Sequence, residues 1–266
     1  MEKLNREMLK LALRAAHAAG GHIEKNRGRE ISVDFKGAVN LVTRLDHESE
    51  EMIVNMISRA FPAHAILAEE GGASNTGSAW TWVIDPLDGT TNYAHQLPVY
   101  AVSIAVLHDS TPQAAVVFAP GLKETFSALA GSGAFLNGRR IRVSQRNHLE
   151  HCLLATGFPY DRWDQAGRYL QPFGYFLSRA RDLRRWGAAA LDLAYVAAGR
   201  FDAFWEFGLK AWDTAAGALL VSEAGGRITD FSGNAFDPFQ HQCLCSNGHI
   251  HEAMLAAFRE QADRLF

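Results

Sequence analysis

Residues 82–92 combine an apolar, strand-like run with two carboxylates, a glycine and two threonines. Asp85 and Asp88 flank a proline-bent turn, so both side chains can point toward one place, where the Leu87 carbonyl can join them. Oxygen ligands of this kind are the ones that Mg²⁺ prefers in proteins. The pattern therefore predicts a magnesium site at the end of a strand.

Gly89 and Thr90 directly follow the second aspartate. Glycine lets the backbone approach a ligand closely, and if a helix begins at Thr90, its first amide groups lack acceptors within the helix and can hold a phosphate. Metal-binding carboxylates beside a phosphate cradle indicate metal-assisted phosphoryl chemistry. On its own, the segment fits an ordinary turn and helix cap equally well.

Two further carboxylate positions favour the metal site, because a site for several ions needs more ligands than one turn supplies. Glu69 and Glu70 follow another strand-like run, and Asp213 precedes a helical pattern. Taken alone, the glutamates suit a solvated loop and Asp213 suits a helix cap. Asp88 and Asp213 are far apart in the chain, so only the fold can bring their side chains together.

The apolar periodicity predicts helices mixed with short strands, which is typical of a layered α/β architecture with a cleft between two lobes. The first helix contains Leu4 and Met8 and is predicted to end near Gly20. Further helices are predicted near residues 46–57, 165–177, 188–198, 214–223 and 249–259, and strands near 65–68, 80–84, 99–107, 114–119, 203–206, 227–229 and 242–246.

The composition indicates a folded protein. The chain has 266 residues, of which 48% are hydrophobic and 21% charged, and its formal charge of -3 argues against general attraction to nucleic acid or anionic membranes. The three cysteines are too few for a disulfide scaffold and predict a reducing, cytoplasmic environment, and we expect neither a signal peptide nor a membrane segment. We expect one domain over residues 1–266, with lobes 1–150 and 151–266.

The motifs together resemble the inositol monophosphatase family, a group of Mg²⁺-dependent, lithium-sensitive sugar phosphatases, and its bacterial branch in particular. Residues 85–92 (Asp-Pro-Leu-Asp-Gly-Thr-Thr-Asn) look like the first signature of the family, and residues 212–217 with 223–226 look like the second. The resemblance extends to residues 40–46, 68–70, 136–138 and 189–194, and Lys36 and Gly37 lie where the family has a mobile loop.

This resemblance implies a layered αβαβα sandwich, a metal site in the cleft between its two sheets and a homodimer. It also implies two to three Mg²⁺ ions. Carried over position by position, Glu69, Asp85 and the Leu87 carbonyl would hold the first ion. Asp85, Asp88 and Asp213 would hold the second, and a third, weaker ion would rest on Glu69 and water.

The resemblance further implies hydrolysis of a phosphate monoester by metal-activated water, without a covalent phosphoenzyme. Glu69 and the Thr90 hydroxyl, which Asp46 would orient, would take the proton from that water. The amides of Gly89 and Thr90 would stabilise the phosphoryl oxygens.

The polyol half of the substrate has its own predicted contacts. Glu206 matches the family position whose carboxylate accepts hydrogen bonds from inositol hydroxyls, and Ala189 matches a backbone contact beside it. Asp88 and Asp213 complete this substrate-binding set. A solvated glutamate at a strand edge is the alternative explanation for Glu206.

Residues 185–188 depart from the family pattern. Trp186 and Ala188 stand where bacterial relatives often have a threonine-like residue and a serine, and we expect the change to reshape the sugar pocket. The predicted substrate is myo-inositol monophosphate. Fructose 1,6-bisphosphate, histidinol phosphate and 3′-phosphoadenosine 5′-phosphate stay open as alternatives with the same chemistry.

A cluster of basic residues suggests a different class of function. A solvated surface explains this cluster, but it could also contact a dimer partner, another protein or a nucleic acid. The alternative function is thus a regulatory protein that binds RNA or the transcription machinery and has a secondary phosphatase site. The cluster consists of Arg179, Arg181, Arg184 and Arg185.

Overall fold

The computed structural model describes residues 2–28, 33–36, 40–74 and 76–260. Gly37 and the side chain of Lys36 lie outside what it describes. The helices in these ranges are α1 (Glu2–Asn26), α2 (Arg44–Ala60), α3 (Thr90–Ala94), α4 (Arg162–Leu177), α5 (Ala189–Ala197), α6 (Ala211–Glu223) and α7 (His251–Glu260). The strands are β1 (Val33–Lys36), β2 (Asn40–Thr43), β3 (Ala65–Ala68), β4 (Gly72–Ser74), β5 (Trp80–Asp88), β6 (Ala101–His108), β7 (Thr111–Ala119), β8 (Glu124–Leu129), β9 (Gly133–Leu136), β10 (Arg139–Ile141), β11 (Leu153–Thr156), β12 (Asp182–Arg184), β13 (Ala203–Phe207), β14 (Arg227–Thr229) and β15 (Gln242–Ser246).

Two large sheets and three pairs of helices form five layers. The first sheet has eight strands in the order β10-β9-β8-β7-β6-β5-β3-β4, and the second has five in the order β12-β11-β13-β15-β14. Helices α1 and α2 pack on the outer face of the first sheet, α5 and α6 lie between the sheets, and α4 and α7 cover the outer face of the second. The predicted αβαβα fold is confirmed.

Strand β5 is apolar on both faces because helices cover both faces of the first sheet. Trp82 and Ile84 pack in the core that α1 and α2 complete, whereas Val83 packs in the core shared with α5 and α6. This two-sided burial explains why the sequence shows a continuous apolar run here rather than an alternating pattern. The polar end of β5 lies beside the inner layer of helices, between the two sheets.

Helix α5 is buried along its whole length. Its close contact with α6 requires Gly217, because a Cβ atom at that position would lie 2.4 Å from the Leu193 Cβ atom. A short helix of small and apolar residues suits a layer that is enclosed between two sheets. Neither α5 nor any other described helix has the combination of length and hydropathy needed to cross a membrane.

The predicted elements differ from the structure in a few places. Helix α1 continues to Asn26, so its predicted end near Gly20 is wrong. The glycine lies inside the helix because it packs against Phe118, whose ring would be 2.5 Å from an added Cβ atom. None of the predicted strand ranges covers β1, β2, β4 or β8 to β12, and all of these except β8 are only three or four residues long.

A buried histidine links the second sheet to α7. The side chain of His251 has no exposed surface; its Nδ1 atom is 2.9 Å from the Ser246 hydroxyl and its Nε2 atom is 3.0 Å from the Thr229 hydroxyl. Burial and the nearby Arg227 lower the pKa of His251 to about 4. The imidazole is therefore neutral in the folded protein at neutral pH.

We expect this histidine to make the fold sensitive to acid. An unfolded histidine takes up a proton near pH 6.5, whereas folded His251 resists protonation down to about pH 4, so the contribution of His251 to the free energy of unfolding should fall as pH decreases through this window. The full loss from this residue is about 3 kcal/mol. Urea unfolding of wild type and His251→Gln at pH 7 and pH 4.5 measures it as the difference between the two proteins, because all other titratable groups are shared. Acidification should favour the variant over wild type, and an equal pH dependence in both proteins would contradict the assignment.

Candidate active site

The two aspartates of the first motif lie at the end of β5, where its pairing with β6 is irregular. Asp85 is opposite Ser103 and Asp88 is opposite Ala101, so β5 has one residue more than β6 between these pairs. In a regular strand, residues three positions apart point to opposite faces. The bulge removes this alternation, and both aspartates line one cleft.

A hydrogen-bonded chain connects the turn after β5 to α2. The Thr90 hydroxyl lies 3.0 Å from the Asp46 Oδ1 atom and 3.0 Å from the Leu87 carbonyl oxygen, and it can donate to either. The Leu87 amide donates to the Asp85 Oδ1 atom at 2.9 Å. The contact through which Asp46 was predicted to orient Thr90 is therefore present, while the roles of these residues in a reaction stay predictions.

Gly89 occupies a position that only glycine fits. Its φ angle is +88°, and a Cβ atom there would lie 2.9 Å from the Val99 carbonyl oxygen and 3.2 Å from the Ala188 Cβ atom. Helix α3 begins at the next residue, Thr90, as the predicted phosphate cradle requires. The first amides of this single turn lack acceptors within the helix, and the residues that carry them, Thr90 and Thr91, line the cleft.

Asp88 has a structural role that the sequence did not reveal. Its two carboxylate oxygens accept hydrogen bonds from the amides of Ala189 at 3.1 Å and Ala190 at 2.8 Å, at the start of α5. The residue preceding α5 is Ala188, which cannot cap the helix, so Asp88 serves as its cap from a distant part of the chain. This bond also occupies the amide of Ala189, one of the predicted substrate contacts.

The other predicted carboxylates reach the same cleft from separate elements. Glu69 follows β3, Glu206 belongs to β13 and Asp213 lies in the first turn of α6, where its Oδ2 atom accepts a hydrogen bond from the Lys210 amide at 2.6 Å. The cleft has a volume of about 260 Å³. The predicted site residues that line it are Glu69, Asp85, Leu87, Asp88, Gly89, Thr90, Ala189, Glu206 and Asp213.

Crowding of negative charge characterises this cleft. Burial, together with the charges of Glu69 and Asp88, raises the pKa of Asp85 well above its usual range. Burial raises the pKa of both Asp88 and Asp213 to about 7, against the opposing hydrogen bonds from backbone amides. The carboxylates therefore destabilise one another unless a positive charge lies between them.

A divalent cation fits this donor set chemically. The donors are carboxylate and carbonyl oxygens, which hard cations prefer, and a cation would relieve the repulsion that raises the carboxyl pKa values. In the described part of the chain, no three Asp, Glu, His or Cys side chains are already arranged as a complete metal site. The ligand assignments accordingly stay predictions.

The cleft is also lined by residues that were not predicted as site residues. Phe158 and Tyr160 follow β11, and Arg162, Arg185 and Lys210 add positive charge to the cleft lining. Because β11 was not predicted, the loop after it could not be assigned to a strand end. The signal available in the sequence was Phe158-Pro159-Tyr160, two aromatic residues around one proline before a helical pattern.

Trp186 does not reshape the pocket as expected. Its indole packs edge-on against Tyr195 and Phe201, with ring centroids 5.0 and 5.2 Å away, and it is not among the residues that line the cleft. Its carbonyl accepts a hydrogen bond from the Asn92 side chain at 2.7 Å. Trp186 thus changes the packing outside the cleft. Ala188, the other residue that departs from the family pattern, packs near Gly89.

The four arginines predicted to form one basic cluster are divided. Arg185 lines the cleft, and Arg184 pairs with Asp182 at 2.6 Å. The Arg179 guanidinium stacks on the Tyr175 ring at 3.9 Å. These three arginines therefore have different surroundings.

Comparison with known sequences adds a family match. The chain matches the model of the inositol monophosphatase family over residues 4–263. It is 50% identical over 250 residues to "Nus factor SuhB" of Pseudomonas aeruginosa, covering 91% of this chain and 90% of the relative. It is 44% identical over 257 residues to the protein of the same name in Escherichia coli K12, covering 96% of each.

Solved structures resemble the fold just described. The extragenic suppressor protein suhB of Bartonella henselae has a TM-score of 0.91 at 40% identity, covering 96% of this chain and 99% of that one. An inositol monophosphatase from Anabaena has a TM-score of 0.88 at 39% identity and covers 96% of each chain. The sequence and structural matches thus agree over nearly the entire chain.

Proposed function

We infer, since the chain belongs to the inositol monophosphatase family, that it is a Mg²⁺-dependent phosphomonoesterase that hydrolyses myo-inositol monophosphate to inositol and phosphate. One observation carries this proposal: carboxylates from four separate elements converge on one cleft beside a turn suited to phosphate. Because the cleft takes residues from both halves of the chain, we also propose that residues 1–266 act as a single catalytic domain with lobes 1–150 and 151–266.

The proposed metal ligands follow from the donor set. Glu69, Asp85 and the Leu87 carbonyl would hold a first Mg²⁺, Asp85 with Asp88 and Asp213 would hold a second, and a third would rest on Glu69. When bound, these two to three ions supply a water of lowered pKa and positive charge beside the leaving oxygen. Lithium sensitivity, which the resemblance to the family implies, stays an expectation.

The remaining steps belong to side chains and amides of this chain. A hydroxyl hydrogen serves one acceptor at a time, so use of the Leu87 carbonyl as a ligand would commit the Thr90 hydroxyl to Asp46. Thr90 so oriented, together with Glu69, would take the proton of the attacking water. The amides of Gly89 and Thr90 would hold the phosphoryl oxygens.

The polyol would occupy the other end of the cleft. Burial raises the pKa of Glu206 to about 8, and Arg185 opposes this shift. Glu206 at neutral pH can therefore both donate to and accept from substrate hydroxyls. We propose Glu206, Asp88 and Asp213 as the polyol contacts, with Ala189 behind Asp88, whose carboxylate its amide holds in place.

A substrate panel tests the proposed activity. Phosphate release is measured from myo-inositol 1-phosphate, fructose 1,6-bisphosphate, histidinol phosphate and 3′-phosphoadenosine 5′-phosphate, with Mg²⁺ or with EDTA. We expect Mg²⁺-dependent turnover, greatest for the inositol ester. Greater turnover of another ester would change the assigned substrate but not the proposed reaction. No turnover of any ester by folded protein would contradict the proposal.

A second candidate function is regulatory binding to RNA or the transcription machinery. The observation that favours it is the name "Nus factor" carried by relatives that are 50% and 44% identical to this chain. Complementation of a strain that lacks the chain distinguishes the two functions. If binding matters, Arg184→Glu should fail while Asp85→Asn succeeds, and the opposite result would favour catalysis.

We place either function in the cytoplasm, where the three free cysteines would stay reduced.

We propose that the chain forms a homodimer through the outer face of α4. Leu170 and Leu177 are 52% and 56% exposed on this face. Gly167 and Gly174 lie three or four residues from these leucines along the helix, and Cβ atoms at both glycines would meet open space, so another helix can approach closely. Such an apolar helix face is typical of a protein interface.

The charges at the ends of α4 support an antiparallel pair. Asp161 precedes the helix and Arg179 follows it, and each is nine positions from Leu170. A two-fold axis near Leu170 would therefore bring Asp161 of one copy to Arg179 of the other.

We expect Leu170→Asp to convert the dimer to a folded monomer. A charge at the centre of the paired helices would be buried without a partner. Light scattering after gel filtration should give a mass of 29.3 kDa for this variant and twice that for wild type. Leu97→Asp, at a similarly exposed leucine elsewhere, is the control and should stay dimeric. A monomeric wild type, or a dimeric Leu170→Asp, would contradict this interface.

A further inference from the structure

Tyr160 is an exposed aromatic residue at the mouth of the cleft. Its side chain is 54% exposed, yet the residue lines the cleft. Tyr160 is therefore partly enclosed by the cleft and partly in solvent.

The loop that carries Tyr160 is held on both sides. Before it, Pro159 packs on Gly208, where an added Cβ atom would lie 3.1 Å from the proline ring. After it, Asp161 accepts a hydrogen bond from the Tyr169 hydroxyl at 2.7 Å. Tyr160 thus has a defined position without being part of the hydrophobic core.

The same loop lies directly on Glu206. Gly157 is so close to this glutamate that a Cβ atom would lie 2.0 Å from its Oε2 atom. Glu206 is the proposed contact for polyol hydroxyls, so Tyr160 borders the space that the non-reacting half of the substrate would occupy. Arg162 lies beyond the ring, with its guanidinium carbon 6.0 Å from the ring centroid.

The Tyr160 hydroxyl also lacks an internal partner. Among the described residues it makes no hydrogen bond, whereas the hydroxyls of Tyr93, Tyr169 and Tyr195 each donate to a protein oxygen. A positioned phenol combines an apolar ring with a hydrogen-bonding tip at a small entropic cost. Such a group suits a ligand that has C–H faces and hydroxyls.

We propose that Tyr160 is a specificity-determining residue, whose ring covers the polyol ring of the substrate and whose hydroxyl donates a hydrogen bond to a substrate hydroxyl. This inference rests on the proposed phosphatase function and deepens it. It assigns selection for a cyclic polyol phosphate to a residue outside the phosphate and metal positions. The reacting phosphate itself should not depend on Tyr160.

Steady-state kinetics of Tyr160→Phe and Tyr160→Ala test this role. Loss of one neutral hydrogen bond should raise KM for myo-inositol 1-phosphate about 3- to 10-fold in Tyr160→Phe, with kcat within about twofold of wild type. Tyr160→Ala should raise that KM further, because the ring contact is also lost. Ethyl phosphate has no ring and no further hydroxyl, so its kcat/KM should stay within about threefold of wild type in both variants.

Calorimetry provides a measurement that does not depend on turnover. Binding of myo-inositol 1-phosphate is measured in the presence of Mg²⁺ in Thr90→Val, a background designed to slow hydrolysis, with and without Tyr160→Phe. We expect the same 3- to 10-fold rise in Kd. Phe239→Ala removes an aromatic ring of similar exposure away from the cleft and should leave KM and Kd unchanged.

The outcomes separate this inference from the proposed function. Turnover of the inositol ester with unchanged KM and Kd in both tyrosine variants would overturn the role of Tyr160 and leave the phosphatase proposal intact. An equal loss on inositol and ethyl esters would also overturn it, since Tyr160 would then act on the reacting centre. A wild type that neither binds nor hydrolyses any ester would overturn both.

Discussion

Asp85→Asn is expected to reduce kcat for phosphate release by about 1,000-fold or more, which corresponds to about 4 kcal/mol of transition-state stabilisation. Asp85 is the residue proposed to contact two metal ions, and it is only 2% exposed. Asparagine keeps the acceptor for the Leu87 amide but lacks the charge that a divalent cation needs. The fold should therefore survive while the activity does not.

The same substitution should stabilise the protein when metal is absent. Asparagine removes an ionisable group whose charged form is disfavoured by burial and by Glu69, Asp88 and Asp213, so we expect the metal-free Tm at pH 7.5 to rise by about 2–4 °C. Wild type should gain stability when Mg²⁺ is added, because the ion binds the folded state, and Asp85→Asn should gain little. Differential scanning calorimetry with Mg²⁺ or EDTA measures both effects.

Asp230 offers a matched control for this experiment. It is also a buried aspartate, but it accepts hydrogen bonds from the amides of Ser232 and Asn234, and its pKa is lowered by these contacts. Asp230→Asn should therefore lower Tm and leave kcat unchanged, the opposite of the effects at Asp85. Retention of Mg²⁺-dependent turnover in Asp85→Asn would contradict the assignment of the site.

Thr90→Val is expected to lower kcat by about 100-fold and to leave Mg²⁺ binding largely unchanged. Valine has nearly the same shape but lacks the hydroxyl that lies between Asp46 and the Leu87 carbonyl. The proposed ligand set does not include this hydroxyl. The shift in Tm on addition of Mg²⁺ should therefore match that of wild type.

Thr90→Ser distinguishes the hydroxyl from the methyl group. Serine restores the donor, and its kcat should lie within about threefold of wild type. Equal losses in the serine and valine variants would show that packing at the start of α3, rather than the hydroxyl, controls the rate. Loss of the Mg²⁺-induced Tm shift in Thr90→Val would instead place the hydroxyl among the metal ligands.

Local sequence patterns predicted the positions of the aspartates well. The apolar run ending at Asp85 becomes β5, and the turn after it leads into a helix at Thr90. These features depend on neighbouring residues and can be read from local patterns. The family resemblance supplied the rest of the ligand set, including Asp213, since no local pattern connects that residue to β5.

Features that depend on packing between distant elements were not predictable. Gly20 resembles a helix end until Phe118 is placed against it. Trp186 was expected to change the pocket because its sequence neighbours line the pocket, but its ring packs against Tyr195 and Phe201 instead. The loop with Tyr160 follows a strand too short for periodicity to detect. In each case the missing information was a tertiary contact.

The bond between Asp88 and the start of α5 also determines when the protein becomes competent during its synthesis. Asp88 leaves the ribosome about a hundred residues before the amides of Ala189 and Ala190, and Asp213 emerges later still. Such long-range contacts form more slowly than local ones. We therefore expect a nascent chain to lack the proposed activity until its C-terminal half has folded, and a product truncated before α6 to be inert rather than partly active.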